Sequence, residues 1–338
     1  MPAGTDEILV VGTGSWGTAL AVMLARYKPV SLLCRDEEEF LRLQQDRANR
    51  RFLDGVPFPQ DLRLGYDAEA ACAQASIVIL LVPSSRIRDN ARLLARHLST
   101  KHVVLSGAKG LEHGSLLRMT QVLEQELSSA GVSVGALSGP NLAREIAAGK
   151  RATAVVASEN ADALTIALPA LNTPQFRVYA NSDVTGVELG GALKNVIAIG
   201  AGAVDGLEAG ENGKAAFVTR GLAEIARLGV AAGAHPLTFA GLTGLGDLLA
   251  TVSSPNSRNR RVGEELARGR TLQEVRASLA PQVAEGIETT RVARELATRH
   301  GVEMPITEQT YQVLFEGKSV ADAVEHLMFR DPRHEFDA

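Results

Sequence analysis

The residues able to do chemistry in this chain fall into a few short segments. Gly12-Thr13-Gly14-Ser15-Trp16-Gly17 has the spacing of a loop that cradles a dinucleotide. Gly12 permits a tight turn, Gly14 lets the backbone approach a pyrophosphate, and Gly17 lets the following helix pack on the strand with its N–H groups toward the phosphates. About twenty residues on, an NAD site holds an acidic residue for the ribose hydroxyls. Here that place is Arg35, whose guanidinium suits a 2′-phosphate and favours NADP, and the adjacent Asp36 keeps NAD open.

Lys194 lies in an apolar, small-residue stretch, Glu188 to Ile199. Burial there would push its ammonium toward neutrality, where it can give a proton to a carbonyl oxygen as hydride arrives at carbon. The same position is also explained by a lysine snorkelling out of a buried helix, or by pairing with a carboxylate such as Glu188. Lys109, in Ser106-Gly107-Ala108-Lys109-Gly110, and the loop Ser138-Gly139-Pro140-Asn141 both follow strand patterns, at the edge where open α/β sheets bind ligands. Either is equally readable as an ordinary strand-to-helix turn. Asp247 is flanked by Gly246, and Ser257-Arg258-Asn259-Arg260-Arg261 stands at a helix start, where hydroxyl, guanidinium and amide suit a phosphate. The alternative for that cluster is a solvated helix face.

The elements that must position these groups are legible from hydrophobic periodicity. Short aliphatic runs at Ile8 to Val11, Val30 to Cys34, Ile77 to Val82, His102 to Ser106 and Gly135 to Leu137 alternate with helical patterns, which predicts a parallel, doubly wound Rossmann-type sheet. Runs at Thr153 to Ala157 and Phe176 to Ala180 extend it. Beyond them only helical patterns appear, at Val184 to Val204, Lys214 to Ala232, Arg260 to Ala267, Glu288 to Arg299 and Ile306 to Phe315. The expectation is α/β: a dinucleotide-binding domain over residues 1–181, an all-α substrate-binding and dimerisation domain over 182–330, and a frayed tail over 331–338.

Composition narrows the class. With 338 residues, 45% hydrophobic and 22% charged, the chain has enough apolar surface for two cores. A formal charge of −4 offers no overall attraction to nucleic acid or an anionic membrane. Cys34 and Cys72 form no metal or disulfide pattern, the seven histidines show no ligand spacing, and no metal is expected. Asp6 and Glu7 precede only the short run Ile8 to Val11, so no secretory signal is read there, and the longest purely apolar stretch, Ile77 to Pro83, is too short to cross a bilayer. A cytoplasmic location is expected, with no membrane insertion and no nucleic-acid partner.

Taken in order, the motifs closely resemble the NAD(P)-dependent glycerol-3-phosphate dehydrogenases of bacterial type, from Gly12 to about Gly317. The marks are Gly-Ser-Trp-Gly-Thr-Ala-Leu at 14–20, Val-Pro-Ser at 82–84, Lys-Gly-Leu-Glu at 109–112, Ser-Gly-Pro at 138–140 and Gly-Gly-Ala-Leu-Lys-Asn-Val-Ile-Ala-Ile at 190–199. They continue with Thr-Arg-Gly-Leu-Ala-Glu at 219–224, Gly-Leu-Gly-Asp-Leu at 244–248, Ser-Arg-Asn-Arg-Arg at 257–261, Val-Ala-Glu-Gly at 283–286 and Met-Pro-Ile-Thr at 304–307.

The resemblance implies reversible hydride transfer between NAD(P)H and C2 of dihydroxyacetone phosphate, giving sn-glycerol 3-phosphate for glycerophospholipid synthesis. It implies that Lys194 handles the proton, that Asp247 orients the C2 oxygen or Lys194, and that Lys109, Gly139, Lys194, Asp247, Ser257, Arg258 and Asn259 line the substrate site. Ser15, Trp16, Arg35, Lys109, Ala143, Arg258, Val283 and Glu285 fall where the family contacts NAD(P), and a homodimer through the helical domain is expected. Asn141 stands where the family often has serine or threonine, and an amide can still donate to a phosphate or hydroxyl oxygen. Two rival readings are a dehydrogenase for another small hydroxy acid or phosphate, and a non-catalytic dinucleotide-sensing regulator. The Ser257 to Arg261 cluster argues for a phosphate substrate, and a regulator needs neither that cluster nor Lys194.

Overall fold

The structure, a computed structural model, describes residues 7–331 and 334–335. The rest of the expected tail, and residues 1–6 where no export signal was read, lie outside the described residues.

Among the described residues eight strands form one sheet in the order β3-β2-β1-β4-β5-β6-β7-β8. They are β1 (Glu7–Val11), β2 (Val30–Leu33), β3 (Leu62–Gly65), β4 (Ala75–Leu80), β5 (Val103–Ser106), β6 (Ser133–Ser138), β7 (Ala152–Ala157) and β8 (Phe176–Asn181). Helices α1 (Ser15–Leu24), α2 (Glu37–Asp46), α3 (Ala68–Gln74), α4 (Ile87–Ala95), α5 (Met119–Leu127), α6 (Ala143–Ala147) and α7 (Ala161–Leu171) connect them. Ile8 to Val11 and Ile77 to Leu80 are buried on both faces, as central parallel strands covered by helices must be. β1 lies between β2 and β4, so the chain reverses its direction of travel across the sheet next to β1, the point at which such sheets bind nucleotides.

Two features depart from the sequence expectation. β7 runs antiparallel to β6, with Leu137 opposite Val156, so the sheet is mostly rather than wholly parallel. Hydrophobic period reports that a segment is a strand, not which way it runs. β3 was not anticipated; Leu-Arg-Leu-Gly is short and, among the described residues, sits at the sheet edge paired with β2 alone.

The remaining helices are α8 (Val184–Gly206), α9 (Gly210–Ala231), α10 (Pro236–Ala240), α11 (Asp247–Ser253), α12 (Arg258–Ala267), α13 (Leu272–Leu279), α14 (Gly286–His300), α15 (Pro305–Phe315) and α16 (Val320–Met328). A π-helical turn at Leu242–Gly246 leads directly into α11. α8 is long and apolar enough to cross a membrane, yet 89% of its apolar window is buried inside the protein, where Ala192, Leu193, Val196 and Ile197 belong to a helical core.

The chain divides into two compact units, Met1–Lys109 with Leu117–Val184, and Gly110–Leu116 with Thr185–Ala338. The segment Gly110–Leu116 joins the helical unit because Leu111 is part of its core and Leu116 packs against it. In that unit Glu224 of α9 is 2% exposed and accepts the first N–H groups of α15, from Ile306 at 2.5 Å and Thr307 at 3.2 Å. Burial outweighs those bonds and pushes its carboxyl from 4.5 up to about 7.

A raised carboxyl stabilises the fold while protonated, so its contribution is complete below pH 4.5 and is lost as the pH rises through about 7. Denaturant titrations should show wild type losing about 3 kcal/mol relative to Glu224→Gln between those limits. A difference that stays flat with pH would contradict the assignment.

Candidate active site

The glycine-rich turn follows β1 and opens α1. Gly12 has φ +116°, and a Cβ there would lie 2.6 Å from the Leu81 carbonyl oxygen at the end of β4. At Gly17 a Cβ would lie 1.9 Å from the Gly12 carbonyl oxygen, so these two glycines close the turn on itself. At Gly14 nothing lies within 4 Å of an added Cβ. The open side is therefore the one that a pyrophosphate would fill. α1 starts there with no side-chain cap and no acidic residue in its first turn, so its N–H groups and dipole suit an anion. The chain fits a dinucleotide phosphate at this turn.

Asn49, which the sequence did not single out, holds the turn in place. It is 2% exposed and donates from Nδ2 to the Thr13 carbonyl at 2.7 Å and to Thr18 Oγ1 at 2.9 Å. Ser15 donates to the Phe52 carbonyl at 2.8 Å. Trp16 and Ala143 pack against one small cluster of Ala19, Leu53 and Ala147, which puts two of the expected cofactor residues side by side. Gly107 also lies beside Trp16, where an added Cβ would sit 3.5 Å from the indole nitrogen.

Arg35 at the end of β2 donates from Nε to Asp36 Oδ2 at 2.7 Å. The Asp36 hydrogen bond and charge raise the Arg35 guanidinium further, and the Glu39 N–H, then Arg35, hold the Asp36 carboxyl below its usual range. With 68% of the Arg35 side chain exposed, solvent screens the pair, so exchanging it for a ribose phosphate costs little. Both NAD and NADP fit this end of the sheet.

After β5 and β6, Lys109 donates from Nζ to the Gly139 carbonyl at 2.8 Å, which joins the two expected ligand loops. Asn141 spends its Nδ2 on the Thr153 carbonyl at 2.9 Å, and among the described residues Asn141 Oδ1 and Ser138 Oγ are buried without a partner. An unsatisfied buried acceptor and hydroxyl beside a lysine mark this loop as polar beyond what packing needs.

In the helical unit Lys194 is 6% exposed and Asp247 2%. Lys194 Nζ lies 3.1 Å from Asp247 Oδ1 and 2.5 Å from Thr251 Oγ1. Thr251 in turn donates to the Asp247 carbonyl at 2.7 Å. The carboxylate that meets Lys194 comes from α11. Thr251 went unnoticed in the sequence, although it stands one helical turn beyond Asp247 and so shares its face; reading Asp247 as a helix start would have found it.

At the start of α12, Ser257 accepts the Arg260 N–H at 3.2 Å, which leaves its hydroxyl proton to donate outward, and Arg258 is exposed in the first turn. Arg260 is spent on Asp205 at 2.6 Å, while Arg258 and Arg261 are exposed, Arg261 lying 3.8 Å from Glu265. Asn259 donates from Nδ2 to Asn195 Oδ1 at 2.8 Å and accepts the Gly286 N–H at 3.0 Å. Val283 is half exposed in the loop before α14, and Glu285 immediately precedes that helix.

A phosphate-binding turn at the switch point of a mostly parallel sheet, combined with a helical unit that shields a lysine, defines a two-domain NAD(P)-linked oxidoreductase. Known proteins narrow the class further. Residues 7–164 match the model of the NAD-dependent glycerol-3-phosphate dehydrogenase N-terminus, and residues 183–325 that of its C-terminus. The chain is 47% identical over 332 residues to a glycerol-3-phosphate dehydrogenase [NAD(P)+] of Desulfitobacterium hafniense, covering 98% of this chain and 93% of that one. A relative of the same description from Moorella thermoacetica is 47% identical over 335 residues, 98% of each chain. The crystal structure of glycerol-3-phosphate dehydrogenase from Coxiella burnetii superposes with a TM-score of 0.91 at 36% identity, covering 96% of this chain and 99% of that one. The chain belongs to the NAD(P)-dependent glycerol-3-phosphate dehydrogenase family.

The glycine geometry separates two substitutions. Gly14→Ala should leave folding stability within about 1 kcal/mol while weakening dinucleotide binding, because its Cβ enters only the ligand's space. Gly17→Ala should cost more than about 2 kcal/mol even without ligand. Thermal melts paired with NADH fluorescence titrations distinguish them, and equal behaviour of the two variants would refute the cradle.

Proposed function

We propose that this chain interconverts dihydroxyacetone phosphate and sn-glycerol 3-phosphate, with Lys194 giving and retrieving the proton at the C2 oxygen. The observation that carries this is the buried Lys194–Asp247–Thr251 cluster. The reduced nicotinamide supplies the hydride. Lys194 delivers a proton along a direction set by the Asp247 carboxylate and the Thr251 hydroxyl and is left as a neutral amine; Asp247 stabilises the ammonium before that transfer and again when the reverse reaction returns the proton. Ser257, Arg258 and Asn259 at the α12 N-terminus hold the phosphate, which keeps the reacting carbon at fixed reach from Lys194. Lys109, Gly139 and Asn141 serve the substrate from the loops after β5 and β6. Gly12, Gly14, Ser15, Trp16, Gly17, Arg35 and Ala143 are read as dinucleotide contacts, and so are Arg258, Val283 and Glu285.

We infer further that the enzyme feeds glycerophospholipid synthesis in the cytoplasm and works as a homodimer. The two buried free thiols, Cys34 and Cys72, suit a reducing compartment. Leu237 at 72% exposure and Val230 at 46% are apolar surface of the helical unit that a second copy would cover.

NADH or NADPH oxidation with dihydroxyacetone phosphate should fall by more than about a hundredfold in Lys194→Ala, as for a lost general acid, with dinucleotide affinity retained. A variant rate within about threefold of wild type would remove Lys194 from the chemistry.

A further inference from the structure

Asn259 is placed to do more than touch a substrate phosphate. A carboxamide offers two N–H donors and two acceptor positions on its oxygen. The Gly286 backbone N–H can only donate, so it fixes the side chain with Oδ1 toward α14, at 3.0 Å. That orientation turns Nδ2 to Asn195 Oδ1 at 2.8 Å, one residue beyond Lys194 on α8. The side chain cannot rotate without breaking both bonds, and one N–H remains for a ligand.

The third partner is constrained as tightly. A Cβ on Gly286 would lie 2.6 Å from the Asn195 carbonyl oxygen and 2.8 Å from Asn259 Oδ1. Only glycine lets the first turn of α14 sit this close to the α8 backbone. Behind it, the fully buried Thr290 hydroxyl donates to the Gly286 carbonyl at 2.7 Å, so the turn is held from both sides. The loop carrying Val283 and Glu285 enters α14 at this glycine.

We infer that Asn259 is a positioning residue for the nucleotide loop: its carboxamide, with Gly286, locks residues 283–286 to α8 beside Lys194. One side chain then sets the dinucleotide-contacting loop, the phosphate-holding end of α12 and the helix of the proton-handling lysine relative to one another. This rests on the reading that Val283 and Glu285 contact the dinucleotide. Substrate phosphate on the remaining N–H and dinucleotide on the loop act on a common element, so each ligand's affinity depends on the other.

The test is NADH affinity by fluorescence titration without substrate, together with the KM for dihydroxyacetone phosphate. The variants are Asn259→Ala, Asn259→Asp, Gly286→Ala and Glu285→Ala. Asn259→Ala and Gly286→Ala should each raise the NADH Kd by about tenfold, although Gly286 has no side chain to offer a substrate. Asn259→Asp keeps an acceptor for the Gly286 N–H but sets a carboxylate oxygen against Asn195 Oδ1 and so loses the tie to α8; its NADH Kd should also rise by about tenfold, and its KM by more than about tenfold from repulsion of the phosphate. NADH Kd values within about twofold of wild type in Asn259→Ala and Gly286→Ala, beside a Glu285→Ala weakened about tenfold, would show that Asn259 serves the substrate alone. Unchanged affinity in Glu285→Ala would remove the loop from the nucleotide site, and the coupling with it.

Discussion

Two groups that water would otherwise solvate, the Lys194 amine and the Asp247 carboxylate, sit 3.1 Å apart in the helical interior with almost no exposure. Taking such a pair out of water costs several kcal/mol per ion, and the pair survives only where geometry and extra hydrogen bonds repay that cost. Thr251 supplies one such bond, and its own donation to the Asp247 carbonyl fixes where its oxygen points. Removing one member would strand the other, which is why reactivity and rigidity are inseparable in this part of the molecule.

That rigidity comes from backbone proximity more than from large side chains. α8 carries glycine where other elements cross it: a Cβ at Gly190 would lie 2.9 Å from the Thr243 carbonyl oxygen, and one at Gly202 only 1.8 Å from that of Arg260. The first contact seats the π-helical turn that delivers Asp247, and the second seats α12, which begins at Arg258. A π turn widens the helix locally and re-aims the side chains beyond it, a device found often at functional sites. Asp205 adds an electrostatic tie, accepting from Lys214 at 2.9 Å and Arg260 at 2.6 Å, so the amino end of α12 is anchored from behind.

Much of this was legible in the residues themselves, and the misses have physical causes. Strong periods, such as Ile77 to Val82 and Val184 to Val204, located the central strands and the core helix. Lys194 announced itself as a charge among aliphatics, and Gly12 to Gly17 by spacing. Pattern does not carry strand direction, so the antiparallel β7 escaped, and an edge strand of four residues made too little signal. Short helices beside glycines, α10 and α11 among them, were not among the helical patterns named from the sequence, because such short elements depend on tertiary contact rather than propensity. Asn49, Asn195 and Thr251 act through hydrogen bonds to elements 31 to 64 residues away. An asparagine or threonine gives no local sign of such a distant partner.

The return of Gly110–Leu116 to the helical unit makes the architecture discontinuous along the chain. Leu111 completes a hydrophobic core whose other members begin at Leu189, nearly eighty positions later. During synthesis a piece of the helical unit's core is made before the sheet unit is complete. The helical unit finishes packing only by reaching back to that segment. A fragment beginning at Thr185 would lack it, so the two halves of this enzyme are not interchangeable modules: evolution or engineering that swapped one at a single junction would leave a gap in the other.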